Sequence, residues 1–291
     1  MAFKERLIDV TFRLGKGAFG NSGMNTIKLS GLRTSCKIVK AGGAAMSTMQ
    51  LEVYGMHLDQ MNELSTLGMA IKLVRVNYVT VEAGTADGMA VVFSGTITNA
   101  WADLESAPDA PFRVEAQAGL IEAVQPLAPT SLQKAQSVDS IMSKLAQQMG
   151  LKYENNGVNT MLPPSYLPGS PRDQAKACAE HAGCSWIIDD GILAIWPVGG
   201  SRKSNLVPLI SKDTGLVRYP AYTSQGVMLR TLFNPAIRFG MTVEVQSELG
   251  KPANGTWVVY SIDYDLESLM PKGQWFTTIG AARPGLGPLI T

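Results

Sequence analysis

Alternation is the feature that most constrains how this chain folds. Through roughly the first 125 residues, and again beyond residue 225, polar and apolar side chains change places with a period of two between glycine- and asparagine-containing breaks. In residues 6–14 (RLIDVTFRL), Leu7, Asp9 and Thr11 fall on one side of an extended chain and Ile8, Val10 and Phe12 on the other. Residues 25–39, with a turn at Gly31, and 47–56, with Met49, Leu51 and Val53 in step, repeat the pattern, as do 71–83 and 89–99. This period belongs to strands with one buried face and is foreign to a helix. It returns in residues 225–233, 241–247, 255–266 and 275–281, punctuated by the turn dipeptides Asn234-Pro235 and Phe239-Gly240. One short helix is expected at residues 58–65, and proline-bearing loops at 107–113 and 125–130.

Between these two regions the period changes. Val138, Ile141, Met142, Leu145 and Met149 recur at helical spacing, Ser137 stands where a cap accepts a backbone N–H, and Gly150 followed by Leu151 closes the helix. A second helix has Ser170 as cap, Pro171 as first residue and Asp173 as first-turn acid; Ala175, Cys178, Ala179 and Ala182 form its apolar stripe and Gly183 its stop. CSWIID and ILAIWP then flank Asp190-Gly191, a dipeptide suited to a type I′ hairpin turn. The expected organisation is an N-terminal β domain over residues 1–125, a small α/β domain of two helices and a hairpin over 126–198, and a C-terminal β domain over 199–291. Residues 199–215 open the last as a connecting segment, and the Gly/Pro-rich RPGLGPLIT is expected to be extended or mobile.

Charge excludes several functions. Twenty-five Lys and Arg against 24 Asp and Glu leave +1, with no basic field of the kind that holds nucleic acid or an anionic membrane. Apolar runs fall short of the roughly 20 residues a membrane helix needs, and MAFKERLIDVTF lacks a signal-peptide core. The three cysteines, Cys36, Cys178 and Cys184, are odd in number and irregularly spaced, which suits a reducing compartment better than a disulfide framework.

Several constellations invite a chemical reading. Gly15, Gly17 and Gly20 match G-x-G-x-x-G, whose glycines let backbone amides approach phosphate ahead of a helix. Here NSGMNTIKLSG follows, which is no helix, and no acid stands at the ribose position, so a glycine-rich hairpin loop is expected. Cys178, His181 and Cys184 offer zinc three of the four ligands it wants, and the remaining His57 and Cys36 are remote in sequence. Two core thiols and a surface histidine are the expectation. Asp189-Asp190 belongs to a hairpin turn. Asp263 and Asp265 share one strand face without a Ser, His or Lys constellation in the sequence. Trp186, Trp196, Trp257 and Trp275 sit on strands without interleaved basic residues, as packing aromatics do. No catalytic, cofactor-binding or metal residue is assigned, no cofactor is expected, and the chain is not expected to be an enzyme.

The order of segments carries a resemblance. SVDSIMSKLAQQMGLKY, then SPRDQAKACAEHAGCSWIIDDGILAIWP, then GVMLRTLFNPAIRFGMTVEVQS and GTWVVYSIDYDLES resemble the baseplate hub proteins of contractile-tailed phages, the T4-type and Mu-type hubs, over about residues 130–280. The two helices and hairpin are similar to the small domain of those hubs, and Leu-Phe-Asn-Pro to the turn opening their second barrel. The resemblance implies a β-rich α+β chain with two tail-tube-like antiparallel β-barrel domains and the small α/β domain between them. It implies a homotrimer forming a pseudo-hexameric ring that joins tail tube protein to tail spike protein, contacts other baseplate proteins, and forms part of the DNA conduit without sequence-specific nucleic-acid binding. It places the chain in the virion after assembly in host cytoplasm, with the spike a separate polypeptide. A cell-wall-binding or lytic tail-tip component is the alternative.

Overall fold

The computed structural model describes residues 5–20, 23–66 and 76–285. The chain forms two compact units, one of Met1–Val39, Thr48–Ala118 and Tyr264–Phe276, the other of Lys40–Ser47, Gly119–Asp263 and Thr277–Thr291.

The first unit is built on an antiparallel sheet. Its strands β1 (Leu7–Arg13), β2 (Thr26–Leu29), β3 (Thr34–Lys40), β4 (Thr48–Tyr54), β5 (Tyr78–Thr85), β6 (Gly88–Ala102) and β7 (Pro111–Gln117) lie in the order β2-β1-β5-β6-β7-β4-β3. Alternation decides which face is inside: Ile8, Val10 and Phe12 are buried on β1, Met49, Leu51 and Val53 on β4. Phe12 and Phe112 meet edge to face, ring centres 6.1 Å apart, the arrangement aromatic quadrupoles favour. The expected short helix is present at Leu58–Leu64 and sends Met61 and Leu64 into this core. Of the strand expected at residues 71–83, residues 71–75 lie outside the described residues. Residues 107–113 are not a loop throughout: β7 begins at Pro111, because a strand's first position tolerates a residue without an amide donor. Among the described residues β2 pairs only with β1 and forms an open edge of this sheet.

In the second unit, the helices Val138–Met149 and Pro171–Ala182 stand where their caps place them. Ser140 N donates to the Ser137 hydroxyl, and Gly150 and Gly183 close the helices in the left-handed region. Asp173 does more than offer first-turn charge: it accepts from the Ser170 backbone while Ser170 accepts from Asp173, a reciprocal capping box. Short pairings join β8 (Thr130–Leu132) to β12 (Ser165–Leu167) and β9 (Gln136–Ser137) to β11 (Met161–Leu162). The hairpin of β13 (Cys184–Asp189) and β14 (Ile192–Pro197) gains a parallel strand, β10 (Lys152–Asn155), on β14. Met142, Leu145, Cys178, Leu193 and Ile195 share one core between helices and sheet.

The same unit holds β15 (Leu209–Ile210), β16 (Ala221–Thr223), β17 (Gly226–Leu232), β18 (Thr242–Val245) and the unit's portions of β19 (Gly255–Ser268) and β20 (Trp275–Ala282). The order is β16-β17-β20-β19, with β18 on β19 and β15 parallel on β18. Thus residues 199–215, read as a connection, contain a short strand. β16, absent from the sequence expectation, is an edge strand too short to show a period.

Candidate assembly surface

The open edge of the second unit is a hairpin with an apolar outer side. Tyr222 pairs with Val227 and Ala221 with Met228, and the chain before β16 continues the pairing through Val217 N–H to Arg230 O (2.9 Å) and Leu232 N–H to Gly215 O (2.8 Å). Val227, Leu229 and Thr231 point inward and are buried; Met228 and Leu232, one residue out of phase, are exposed. Val217, Tyr219 and Tyr222 join them. A Cβ on Gly250 would lie 3.4 Å from Pro220 and 3.5 Å from the Tyr222 hydroxyl, so the loop carrying Leu249, 73% exposed, borders the same surface. Among the described residues β16 has a strand neighbour on one side only, and an open strand edge beside exposed Tyr, Met and Leu side chains combines backbone groups with apolar area, the two features protein partners cover.

Three buried basic residues tie segments of the second unit to one another. Lys40, 3% exposed, contacts the Asp189 carboxylate and lies 2.7 Å from Asp190. Arg202 forks onto Glu154 at 3.1 and 2.7 Å, while its backbone N–H donates to Gly240 O at 2.7 Å. Burial pushes the Glu154 carboxyl up, but the Arg202 guanidinium and the Asn156 amide outweigh it and hold the group below the usual carboxylate range. Arg172 donates to the carbonyl oxygens of Gly43, Ala44 and Ala45 at 3.0–3.3 Å and lies over the Trp186 ring at 5.3 Å.

The residues singled out in the sequence separate cleanly. Residues 15–20 lie in the connection from β1 to β2, where Leu14 N–H donates to Asn25 O and Phe19 N–H to Met24 O. Gly20 N–H donates to the Glu63 carboxylate, an acceptor that repels phosphate. A Cβ on Gly15 would come within 2.3 Å of Val76 O, so close backbone approach accounts for that glycine. Cys178 and Cys184 are buried in the small core and His181 is exposed; among the described residues no group of three His, Cys, Asp or Glu is placed to hold a metal. Burial pushes the Cys178 thiol up to about 12, with Cys184 adding to the effect, and burial pushes Cys184 up to about 11. Asp263 is exposed and Asp265 half-buried on β19. Trp186, Trp196, Trp257 and Trp275 are buried on strands, with Arg283 over Trp257 at 4.1 Å and Arg6 over Trp275 at 5.9 Å.

Asp189 and Asp190 are brought together with Lys40, a partner the sequence reading missed. The signal was present: Thr34, Cys36 and Ile38 put the next residue in step, Lys40, on the buried face of β3. Asp190 (φ 50°) and Gly191 (φ 76°) take the left-handed conformations a type I′ turn requires. Burial pushes the Asp190 carboxyl above the usual carboxylate range, more than Lys40 pulls it down. The folded chain therefore holds that proton to higher pH than the unfolded chain. Stability from this group is fully present below the unfolded carboxylate range and falls as pH rises through the folded value. Asp190→Asn keeps the turn chemistry and the Lys40–Asp189 pair while removing the ionisation. Its urea midpoint at about pH 7 is expected to rise by the equivalent of about 1 kcal/mol, and the wild type's gain between about pH 7 and 5 should be absent from the variant. Identical pH responses of the two would contradict this account of the turn.

Among the described residues, open strand edges, one of them apolar, accompany a compact helical module. The family model for baseplate hub gp41 matches residues 7–281, and the chain belongs to that family. Solved structures support the fold. A tail protein from Neisseria meningitidis is 11% identical, covers 96% of this chain and 98% of its own, and has a TM-score of 0.65. The 43 kDa tail protein of prophage MuSo2 from Shewanella oneidensis is 12% identical over 98% of each chain, with a TM-score of 0.58. An Escherichia coli type VI secretion component, described as structurally similar to the T4 tail proteins gp27 and gp5, is 10% identical over 88% of this chain and 77% of its own, TM-score 0.55. Comparison with curated protein sequences gives no match. Among the described residues no helix is long and apolar enough to cross a membrane.

Proposed function

We propose that three copies of this chain form the hub ring of a phage baseplate, in the virion, between a tail tube and a tail spike. Each copy contributes two tail-tube-like β-barrel modules, over residues 1–125 and 199–291, with the α/β module of 126–198 between them. Three such pairs present six similar faces to a hexameric tube and three-fold symmetry to a spike, leaving a channel for DNA.

One observation carries this reading: among the described residues each unit has an open strand edge, β2 in the first and β16 in the second, the latter beside Tyr219, Tyr222 and Leu249. Edges of this kind are aggregation hazards in a monomer and become joints when a head-to-tail arrangement closes. Family membership supports the hub assignment. Light scattering of the purified protein at micromolar concentration is expected to give about 94 kDa, three times the 31.2 kDa chain. A folded monomer at the mass of one chain would contradict the reading.

A further inference from the structure

We infer that a cavity in the second unit is a socket for a second copy of this chain, taking a large apolar side chain from the next subunit, an inference that rests on the ring just proposed.

The cavity holds about 480 Å³ and is walled by Trp186, Trp196 and Phe239 together with the backbone of residues 42–45. Val198 also lines it and is 64% exposed, so it stands at the mouth. The walls are fixed before anything enters. Trp196 and Phe239 pack with ring centres 6.2 Å apart at 59°. A Cβ on Gly42 would come within 2.5 Å of the Phe239 ring, and one on Gly240 within 3.0 Å of the Trp196 ring, so both glycines let backbone lie against an aromatic ring. Gly43 N–H donates to Trp186 O at 2.8 Å, and Arg172 holds the carbonyls of residues 43–45 from behind. A recess preorganised in this way costs an incoming group little ordering.

Its charges are already answered. Lys176 and Glu180 lie 3.8 Å apart, and Arg283 donates to Pro252 O at 3.0 Å and Asn254 O at 3.3 Å while covering the Trp257 ring. Water against aromatic walls finds few hydrogen-bond partners. The chemistry suits an uncharged apolar group rather than an ion.

Continuity with the assembly surface selects a second copy as the source of that group. Gly226 opens β17 so close to β20 that a Cβ on it would sit 2.1 Å from Ala281 O, and the next residues, Ala282 and Arg283, line the cavity. Arg283 in turn holds the loop of Pro252 and Asn254, and Gly250 of that loop meets Pro220 and Tyr222. One run of contacts therefore joins the β16–β17 hairpin to the cavity, and a subunit that covers the hairpin comes against the cavity. In a head-to-tail joint the two contacting surfaces differ, so a recess on one copy is filled by a projection from another surface of the next.

The test blocks the socket in two ways. Val198→Asp puts a charge at the mouth without entering the core, and Ser185→Arg fills the cavity. Met161→Asp, at a position 57% exposed and outside the cavity, is the control. In sedimentation over a dilution series, the concentration at which the trimer half-dissociates is expected to rise at least about tenfold for both socket variants and to stay at the wild-type value for the control. The dilute single chain of Val198→Asp is expected to melt with the wild type, as an exposed substitution should. Folded socket variants that assemble at the wild-type concentration, or a control that weakens assembly equally, would overturn the socket and leave the ring standing. A Val198→Asp single chain that melts well below wild type would mean that a segment of the same chain fills the cavity, and would overturn it too. A wild-type chain that stays monomeric would overturn the ring, and this inference with it.

Discussion

Lys40→Met is expected to lower the stability of the chain by about 3–5 kcal/mol, the cost of leaving a buried charge without its partner. The Lys40 side chain is 2% exposed and that of Asp189 7%, so water cannot replace the ammonium for the carboxylate it leaves behind. Methionine nearly keeps the volume, which confines the effect to charge and hydrogen bonding rather than to a cavity. In a chain whose total stability is on the order of 5–15 kcal/mol, the loss should show as a fall in the thermal midpoint of about 10 °C. The double variant Lys40→Met with Asp189→Asn should recover more than about 1 kcal/mol of it, because the uncompensated charge is then gone. A single variant melting with the wild type would mean that the pair is hydrated and that residue 40 does not anchor the turn at 189–190.

The second large effect is expected at Arg202. Its guanidinium holds Glu154 in a fork and reaches Phe239 O at 3.4 Å, while its backbone pairs with Gly240. Asn156 extends the set, donating to Glu154 at 2.9 Å and accepting from the Lys203 N–H at 2.8 Å. These contacts tie β10 of the small helical module to the segments that lead into β18. Arg202→Met is expected to cost about 3 kcal/mol, somewhat less than at Lys40 because the Glu154 side chain keeps a third of its surface in water. The measurement is a urea denaturation series on Arg202→Met, Glu154→Gln and the double variant. A coupling energy above about 1 kcal/mol supports the network. Strict additivity would show that the two residues act separately.

The parts of this fold legible in the sequence are those written in short-range chemistry. The helix Val138–Met149 announces itself through its stripe and two caps, and Pro171–Ala182 through Ser170, Pro171 and Gly183. The Asp190-Gly191 turn follows from the two left-handed residues a I′ turn demands. The strands of the first unit follow from alternation wherever at least six residues carry it. What escaped was set at long range. β16 is three residues with every side chain exposed, so it has no period and exists only because β17 offers it a ladder. β10 pairs parallel with β14 across some forty residues of chain, and nothing local encodes that neighbour. Pro111 looks like a loop residue and opens β7. The candidate surface was illegible for the same reason. Val217, Tyr222, Met228 and Leu249 read as scattered apolar residues until the β16–β17 hairpin and the loop beside it bring them together.

The resemblance of residues 130–280 to phage hubs agrees with the family match over residues 7–281. The N-terminal third showed only its β class in the sequence, because a strand face encodes burial and not the identity of its neighbours.

The claim on which the rest depends is that the strand edges of separate copies complete one another around a channel. Class averages of the purified protein by negative-stain electron microscopy address it directly. The expected image is a three-fold annulus with six lobes around an open centre. Compact single-chain particles, or two-fold dimers with no central opening, would contradict it.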